Sequence, residues 1–269
     1  MTNLEWQFIC NQIQAHTGIS QARLQRPIIE QRVKRMQHQL KLSQAQLSRE
    51  LLKSNSSILQ GLTECFAVHE SMFFRHPTSF DVLKENLLPE MIAQRFQNKS
   101  LRIWSAGCAF GQEAYSLALM LADSFPEIAS WNIQILGTDI SPSCIQKAQK
   151  AQYSEFEFQR GMPTPILKRY GRQMDNGRWT LDLPSHIQVE FSVLNLTKSF
   201  VHAEPFDLIV LRNVLIYFSP STQRMVLNRV RPYLDPNGIL LLGPSETGEP
   251  VFSKHRIDDV VYYRRPRFK

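Results

Sequence analysis

From about residue 100 onward, short apolar runs alternate with amphipathic stretches, and this alternation leaves few folds open. Runs at 101–107, 133–139, 187–194, 206–211 and 239–242 read as strands. Stretches at 113–125, 143–152 and 222–234 read as helices. A strand, a crossover helix and a further strand make a parallel pair. The pattern therefore predicts a parallel sheet covered by helices on both faces. The first part of the chain reads differently. Leu4, Phe8, Ile9 and Ile13 share a helical stripe that Gly18 ends, Pro27 opens a second helix toward Leu40, and Ser43 caps a third. The expected class is α/β, with a small all-helical N-terminal domain at 1–78 and an α/β domain at 79–269. Within the latter, 153–186 is longer than a crossover needs. Its glycines, prolines and a hairpin signal at Asp175, Asn176 and Gly177 mark a small inserted β-subdomain.

A chain of 269 residues with 43% hydrophobic and 20% charged residues buries a core without staples. Its cysteines, Cys10, Cys65, Cys108 and Cys144, are widely spaced and form no CxxC pair. That argues against a zinc site and a disulfide framework, so no metal is expected and a reducing cytoplasm is the expected location. The N-terminus shows no basic segment followed by an apolar one, and the most apolar run, 206–218, is broken by Arg212 and Asn213. Neither a signal peptide nor membrane insertion is expected. The net charge of +7 points to an anionic partner: nucleic acid, an acidic protein surface or acidic lipid.

Parallel sheets bind ligands at the carboxyl ends of their strands, so the chemistry is sought there. The first strand runs into Gly107, Cys108, Ala109, Phe110 and Gly111, then a helix near Glu113. Two glycines four apart let the backbone approach a ligand. A dinucleotide site prefers a third glycine where Ala109 stands, and Glu113 repels an anion but not a sulfonium cation. Read alone, the loop is equally a structural turn. Asp139 ends the next strand, where a carboxylate accepts hydrogen bonds from both hydroxyls of a ribose; its other reading is a cap on the turn at Ser141 and Pro142. Asn195 and Leu196 follow the third strand, where an amide reads an adenine edge or sits in a solvated turn. Arg212 and Asn213 interrupt an apolar run and are expensive to bury unpartnered, so they are expected in the cleft. The Asn-Pro-Pro-Tyr type of motif used on base amines is missing there, which disfavours an amine substrate.

Together these segments resemble the chemotaxis receptor glutamate methyltransferases, the CheR family. The resemblance rests on Ser71, Met72, Phe73, Phe74 and Arg75; on 103–116; on Gly137 to Ile140; on Asn195 and Leu196; on 211–218; and on Pro236 to Glu246. It covers nearly the whole chain and implies a Rossmann-like domain dependent on S-adenosyl-L-methionine, with S-adenosyl-L-homocysteine as product. It also implies roles. Arg75 reaches cofactor and substrate, and Tyr217 faces the methyl group; these two are the expected catalytic residues. His69, Ser71, Arg75, Gly107, Glu113, Asp139, Asn195, Leu196, Arg212 and Asn213 are the expected cofactor-binding set. His69 stands where the family usually has Asn, which bears on a cofactor hydrogen bond and its pH dependence. The implied reaction makes methyl esters of receptor glutamates, and the implied partner is the cytoplasmic helical region of methyl-accepting receptors. No nucleic-acid partner and a monomer are expected. Arg26, Arg32 and Arg35 lie in the basic helical region and are the expected docking cations. Two alternatives stand beside this reading. One is an RNA or small-molecule methyltransferase; the other is a catalytically silent regulator that binds cofactor or receptor.

Overall fold

The computed structural model describes residues 1–266. Thr2 and Glu5 close a capping box on α1 (Asn3–Thr17), and Gly18 ends it at φ 78°. Pro27 sits in the first turn of α2 (Arg26–Leu40). Ser43 caps α3 (Gln44–Leu52) by accepting from the Gln46 amide. Asn55 caps α4 (Ser56–Phe66), and α5 (Pro77–Val82) leads through a π-helical turn into α6 (Leu88–Arg95).

The α/β region follows as β1 (Ser100–Ala106), α7 (Gln112–Ser124), β2 (Asn132–Asp139) and α8 (Pro142–Lys150). An insertion holds α9 (Glu155–Gln159), α10 (Thr164–Tyr170), β3 (Gly171–Gln173) and β4 (Trp179–Leu181). The chain then runs through β5 (Ile187–Val193), β6 (Phe206–Leu211), α11 (Pro220–Val230), β7 (Leu234–Leu242), β8 (Ser253–Ile257) and β9 (Val260–Arg264). The main sheet has seven strands in the order β5-β2-β1-β6-β7-β9-β8. Its first five are parallel, whereas β9 joins β7 and β8 joins β9 antiparallel. The fold class is therefore the α/β, Rossmann-like one expected. From β1 the chain moves outward on one side and returns on the other, so a crevice opens at the carboxyl ends of β1 and β6.

Strand β6 reads as a continuous apolar run because both its faces are covered, whereas the edge strand β5 leaves Gln188 and Glu190 exposed. All six residues of β6 are buried. In β1, Leu101 and Ile103 join one core with α7, while Trp104 and Ala106 join the other. That second core also contains Trp6, Ile9, Ile13 and Phe66, so the helical region packs its apolar stripe directly on the sheet. Each fully buried side chain such as Ile9 or Ile209 contributes about 1.5–3 kcal/mol relative to exposure. Among the described residues no helix is long and apolar enough to cross a membrane.

The insertion is more helical than its composition suggests. The hairpin lies where Gly177 signals it, with φ 73° at that glycine and Met174 N–H donating to Arg178 O at 2.7 Å, but its strands are three residues each beside two helices. Gly161 brings it close to the segment before α5: a Cβ there would stand 2.1 Å from Phe73 O. The Phe73 ring stacks on Phe158 at 5.0 Å between centroids.

Candidate active site

The crevice at the strand ends encloses about 840 Å³ when its open mouth is included, within the size range of small-molecule sites. Its floor is the loop after β1. Gly107 adopts φ 83°, and a Cβ on it would meet the Val214 side chain at 2.3 Å, so only glycine lets the two strand-end loops pass. The Gly107 and Cys108 amides both donate to Thr138 O, at 2.7 and 2.9 Å. The loops after β1 and β2 are thereby tied together.

Asp139 stands at the end of β2 on the cleft wall. Ala109 N–H donates to its Oδ2 at 2.9 Å and Ser141 N–H to its Oδ1 at 3.0 Å. Each oxygen keeps lone-pair capacity for a further donor. Burial pushes the Asp139 carboxyl above its ordinary value, against those two amides and His69. His69 lines the same cleft. Its Nε2 is buried without a partner, and burial lowers its pKa against the pull of Asp139. Burial thus disfavours the charged form of both side chains where they meet at the cleft.

Arg212 leaves β6 with its side chain 2% exposed. Its Nη2 donates to Arg75 O at 3.0 Å, and its Nη1 lies 3.8 Å from Glu113 Oε2. Glu113, in the first turn of α7, also accepts from Ser105 Oγ at 2.8 Å. Burial raises the Glu113 pKa, opposed first by Arg212. Arg75 enters from the segment before α5 and lines the cleft with Tyr217. Its Nη1 donates to Glu70 O at 3.1 Å, and its Nη2 approaches Glu70 Oε2 at 3.7 Å. The Tyr217 pKa is raised, mainly by burial and then by Glu70.

Of the residues singled out from sequence, His69, Arg75, Gly107, Asp139, Asn195, Leu196, Arg212, Asn213 and Tyr217 share this one cleft wall. Ser71 and Glu113 do not line it; Glu113 stands behind Arg212 as its counter-ion. Asn195 is engaged within the chain: its Nδ2 donates to His16 O at 2.8 Å, and its Oδ1 accepts from the Thr197 amide at 2.9 Å. Among the docking cations, Arg26 pairs with Glu30 at 2.8 Å and its guanidinium lies 5.3 Å from the Trp6 ring centre. Arg32 Nη1 donates to Cys65 O and Ala67 O, both at 3.1 Å. Arg35 is exposed.

Two features escaped the sequence. Thr17, Ile19, Phe66, Ala67 and Val68 make the helical region a wall of the cleft. Glu246 accepts from four amides, those of Asn213, Val214, Ile216 and Gly243, at 2.7–3.3 Å. That carboxylate sets the whole turn after β6. Glu246 closes the segment of resemblance from Pro236, but nothing in that pattern assigns its carboxylate a role; Gly243 marks the close approach, since a Cβ there would meet Glu246 Oε2 at 2.6 Å.

Comparison with known proteins gives this cleft its context. Residues 69–257 match the family described as CheR methyltransferase, SAM binding domain. The chain is 35% identical over 217 residues to the chemotaxis protein methyltransferase 1 of Pseudomonas aeruginosa, covering 79% of this chain and 78% of that protein. It is 29% identical over 252 residues to the chemotaxis protein methyltransferase 1 of Vibrio cholerae, covering 92% and 90%. A chemotaxis protein methyltransferase of Borreliella burgdorferi is 33% identical over 202 residues, covering 73% and 71%. The chain belongs to the CheR methyltransferase family and is a methyltransferase that uses S-adenosylmethionine.

Proposed function

We propose that this CheR-family methyltransferase esterifies glutamate side chains of chemotaxis-type receptors, with the helical region as the docking face. The residues of the cleft fit the cofactor. Asp139 offers acceptor capacity for ribose hydroxyls, His69 lines the same space, and Gly107 lets a ligand approach the backbone. When bound, S-adenosylmethionine supplies an electrophilic methyl group on a sulfonium, and a carboxylate with an ordinary pKa near 4.3 is ionised at neutral pH to accept it without a general base. The chain's own work is then to bind, orient and exclude water, and proximity of this kind contributes about 7–11 kcal/mol in favourable cases.

The observation that carries the reading is Arg75 in the cleft lining, held among the described residues by the Glu70 carbonyl and a long contact to the exposed Glu70 carboxylate. A guanidinium so held is ready to exchange partners and to orient an incoming carboxylate by charge-assisted hydrogen bonds. Arg212, buried against Glu113, is fixed by comparison and holds the Arg75 backbone. Tyr217 lines the same cleft.

The test is incubation with methyl-labelled cofactor and receptor cytoplasmic fragments, then alkaline release and mapping of the label. Base-labile methyl on glutamates is the expected result. Label on RNA, or none on any receptor, rules the reading out. Arg75→Ala is expected to lower turnover by roughly tenfold or more, and to lower it more than cofactor affinity, the loss of one charged hydrogen bond being about 1.5–3 kcal/mol. Undiminished turnover removes the assigned role of Arg75.

A further inference from the structure

We propose that Glu64, at the end of α4 and outside the matched segment, is a positioning residue for the cofactor: it clamps the turn that aims Asp139 into the cleft. Its carboxylate crosses from the helical region to the start of α8. Ser141 Oγ donates to it, at 2.7 and 2.8 Å from the two oxygens. Ser143 donates twice, from Oγ at 2.8 Å and from its amide at 3.3 Å. Ser141 is fully buried and already has two other duties. Its Oγ caps α8 by accepting from Cys144 N–H at 3.1 Å, and its amide donates to Asp139 Oδ1 at 3.0 Å. One serine therefore reads Glu64 through its hydroxyl and Asp139 through its amide, so fixing the first fixes the second.

The charge arrangement favours this role over simple stabilisation. Glu64 is close enough to add its repulsion to the desolvation that raises the Asp139 pKa. A second carboxylate beside a buried one is unfavourable unless something offsets it. The serine hydroxyls and the amino end of α8 provide that offset. Glu64 is also next to Cys65, whose carbonyl takes Arg32 of α2. The turn bearing Asp139 is thus tied to the helical region through the end of α4.

This inference rests on the reading of Asp139 as the ribose acceptor. Isothermal titration with S-adenosylhomocysteine tests it on the full chain. Losing a charged hydrogen-bond partner of the turn is expected to raise the Kd about tenfold in Glu64→Ala. Glu64→Gln, whose amide oxygen still accepts from Ser141, is expected to recover most of that loss. Ser143→Ala, which leaves every residue of the N-terminal helices unchanged and removes one hydroxyl donor to Glu64, is expected to weaken binding and to add less than its full effect to Glu64→Ala. The melting temperature of each free variant is read alongside. A Kd within twofold of wild type for Glu64→Ala overturns the proposal. So does a loss that tracks the melting temperature across all variants with no recovery in Glu64→Gln, since general loosening then accounts for it. Asp139→Asn separates the two levels: normal binding by it overturns both readings, whereas weak binding by it with normal binding by Glu64→Ala overturns the role of Glu64 alone.

Discussion

Glu246 turns its carboxylate inward, onto four amides of the two loops beyond β6 and β7. Glu246→Gln keeps the size but exchanges one acceptor oxygen for an NH₂ group that faces donors. Leaving such amides unpaired costs about 1–3 kcal/mol, so the variant is expected to melt lower and to bind S-adenosylhomocysteine less tightly, because Arg212 and Asn213 ride on that turn. Unchanged affinity would show that the turn is held by its packing instead. Asp139 turns its carboxylate outward, and its raised pKa makes a pH prediction. The ionised form is the acceptor, so affinity for S-adenosylhomocysteine is expected to fall as the pH drops through the Asp139 value, which burial places above the ordinary 3.8. The low pKa of His69 delays its own protonation on the same limb. Titrations across pH should show the acid limb in wild type and its loss in Asp139→Asn. Asp139 was legible as a place because it ends a strand of a parallel sheet, where the cleft opens. Glu246 was not, because three of its four partners are about thirty residues away and a lone carboxylate says nothing of which amides it meets. Asn195 was legible only as a place: its amide braces His16, a contact no local pattern announces.

At the scale of elements, what the sequence displayed was the buried interior. Strands β1 and β6 bury apolar residues on both faces, and β2 and β5 still turn Ile133, Ile135, Ile187 and Phe191 toward one core, so all four are read directly. β8 and β9 were missed because they form an antiparallel edge, and β8 carries Lys254, His255 and Arg256 outward. α5 and α6 were missed because they lie between the two regions, with a π-helical turn interrupting the period. Yet α6 carries the tie that fixes the far end of the sheet. Arg95 donates to Asp207 at 2.5 Å and to Asp235 at 2.6 Å, bridging the starts of β6 and β7. Arg102 N–H donates to the other oxygen of Asp207 at 2.8 Å. The Asp207 side chain is 8% exposed, and its pKa is raised chiefly by desolvation with Arg95 opposing. Arg95→Ala removes the opposing charge from two close carboxylates. Breaking a buried pair costs about 3–5 kcal/mol, and the part exposure of Arg95 places this one nearer 2–3 kcal/mol. The sign with pH follows. The folded state of the variant binds protons at a higher pH than the unfolded carboxylate near 3.9, so acidification from pH 7 toward 5 is expected to restore part of its stability. Urea denaturation at the two pH values reads this directly, and a deficit that grows in acid contradicts it.

Taken whole, the molecule does not separate its helical region from its cleft. The helical region shares a core with β1, β6 and β7, and its residues 66–69 line the cleft. This juxtaposition could not be read from the sequence, where 1–78 and the rest differ in periodicity and carry no sign of a common core. The net charge of +7 acts at the same scale, because it sets the approach of an acidic partner. On α2 the cations are unequal. Arg26 and Arg32 are engaged by Glu30 and by the Cys65 and Ala67 carbonyls, whereas Arg35 and Lys34 are exposed. If α2 meets acidic receptor helices, Arg35→Glu should weaken receptor engagement at little cost to the fold, while Arg32→Glu should disturb the cleft wall as well. Exposed charge pairs are screened within about 8–10 Å at moderate salt, so the receptor KM is expected to rise with ionic strength in wild type. In Arg35→Glu the KM should be several-fold higher at low salt and depend less on salt, with S-adenosylhomocysteine affinity unchanged. Steady-state methylation at two salt concentrations distinguishes the outcomes. An Arg35→Glu KM equal to wild type at low salt would move the docking face off α2, and a loss of cofactor affinity in that variant would mean that Arg35, like Arg32, serves the cleft.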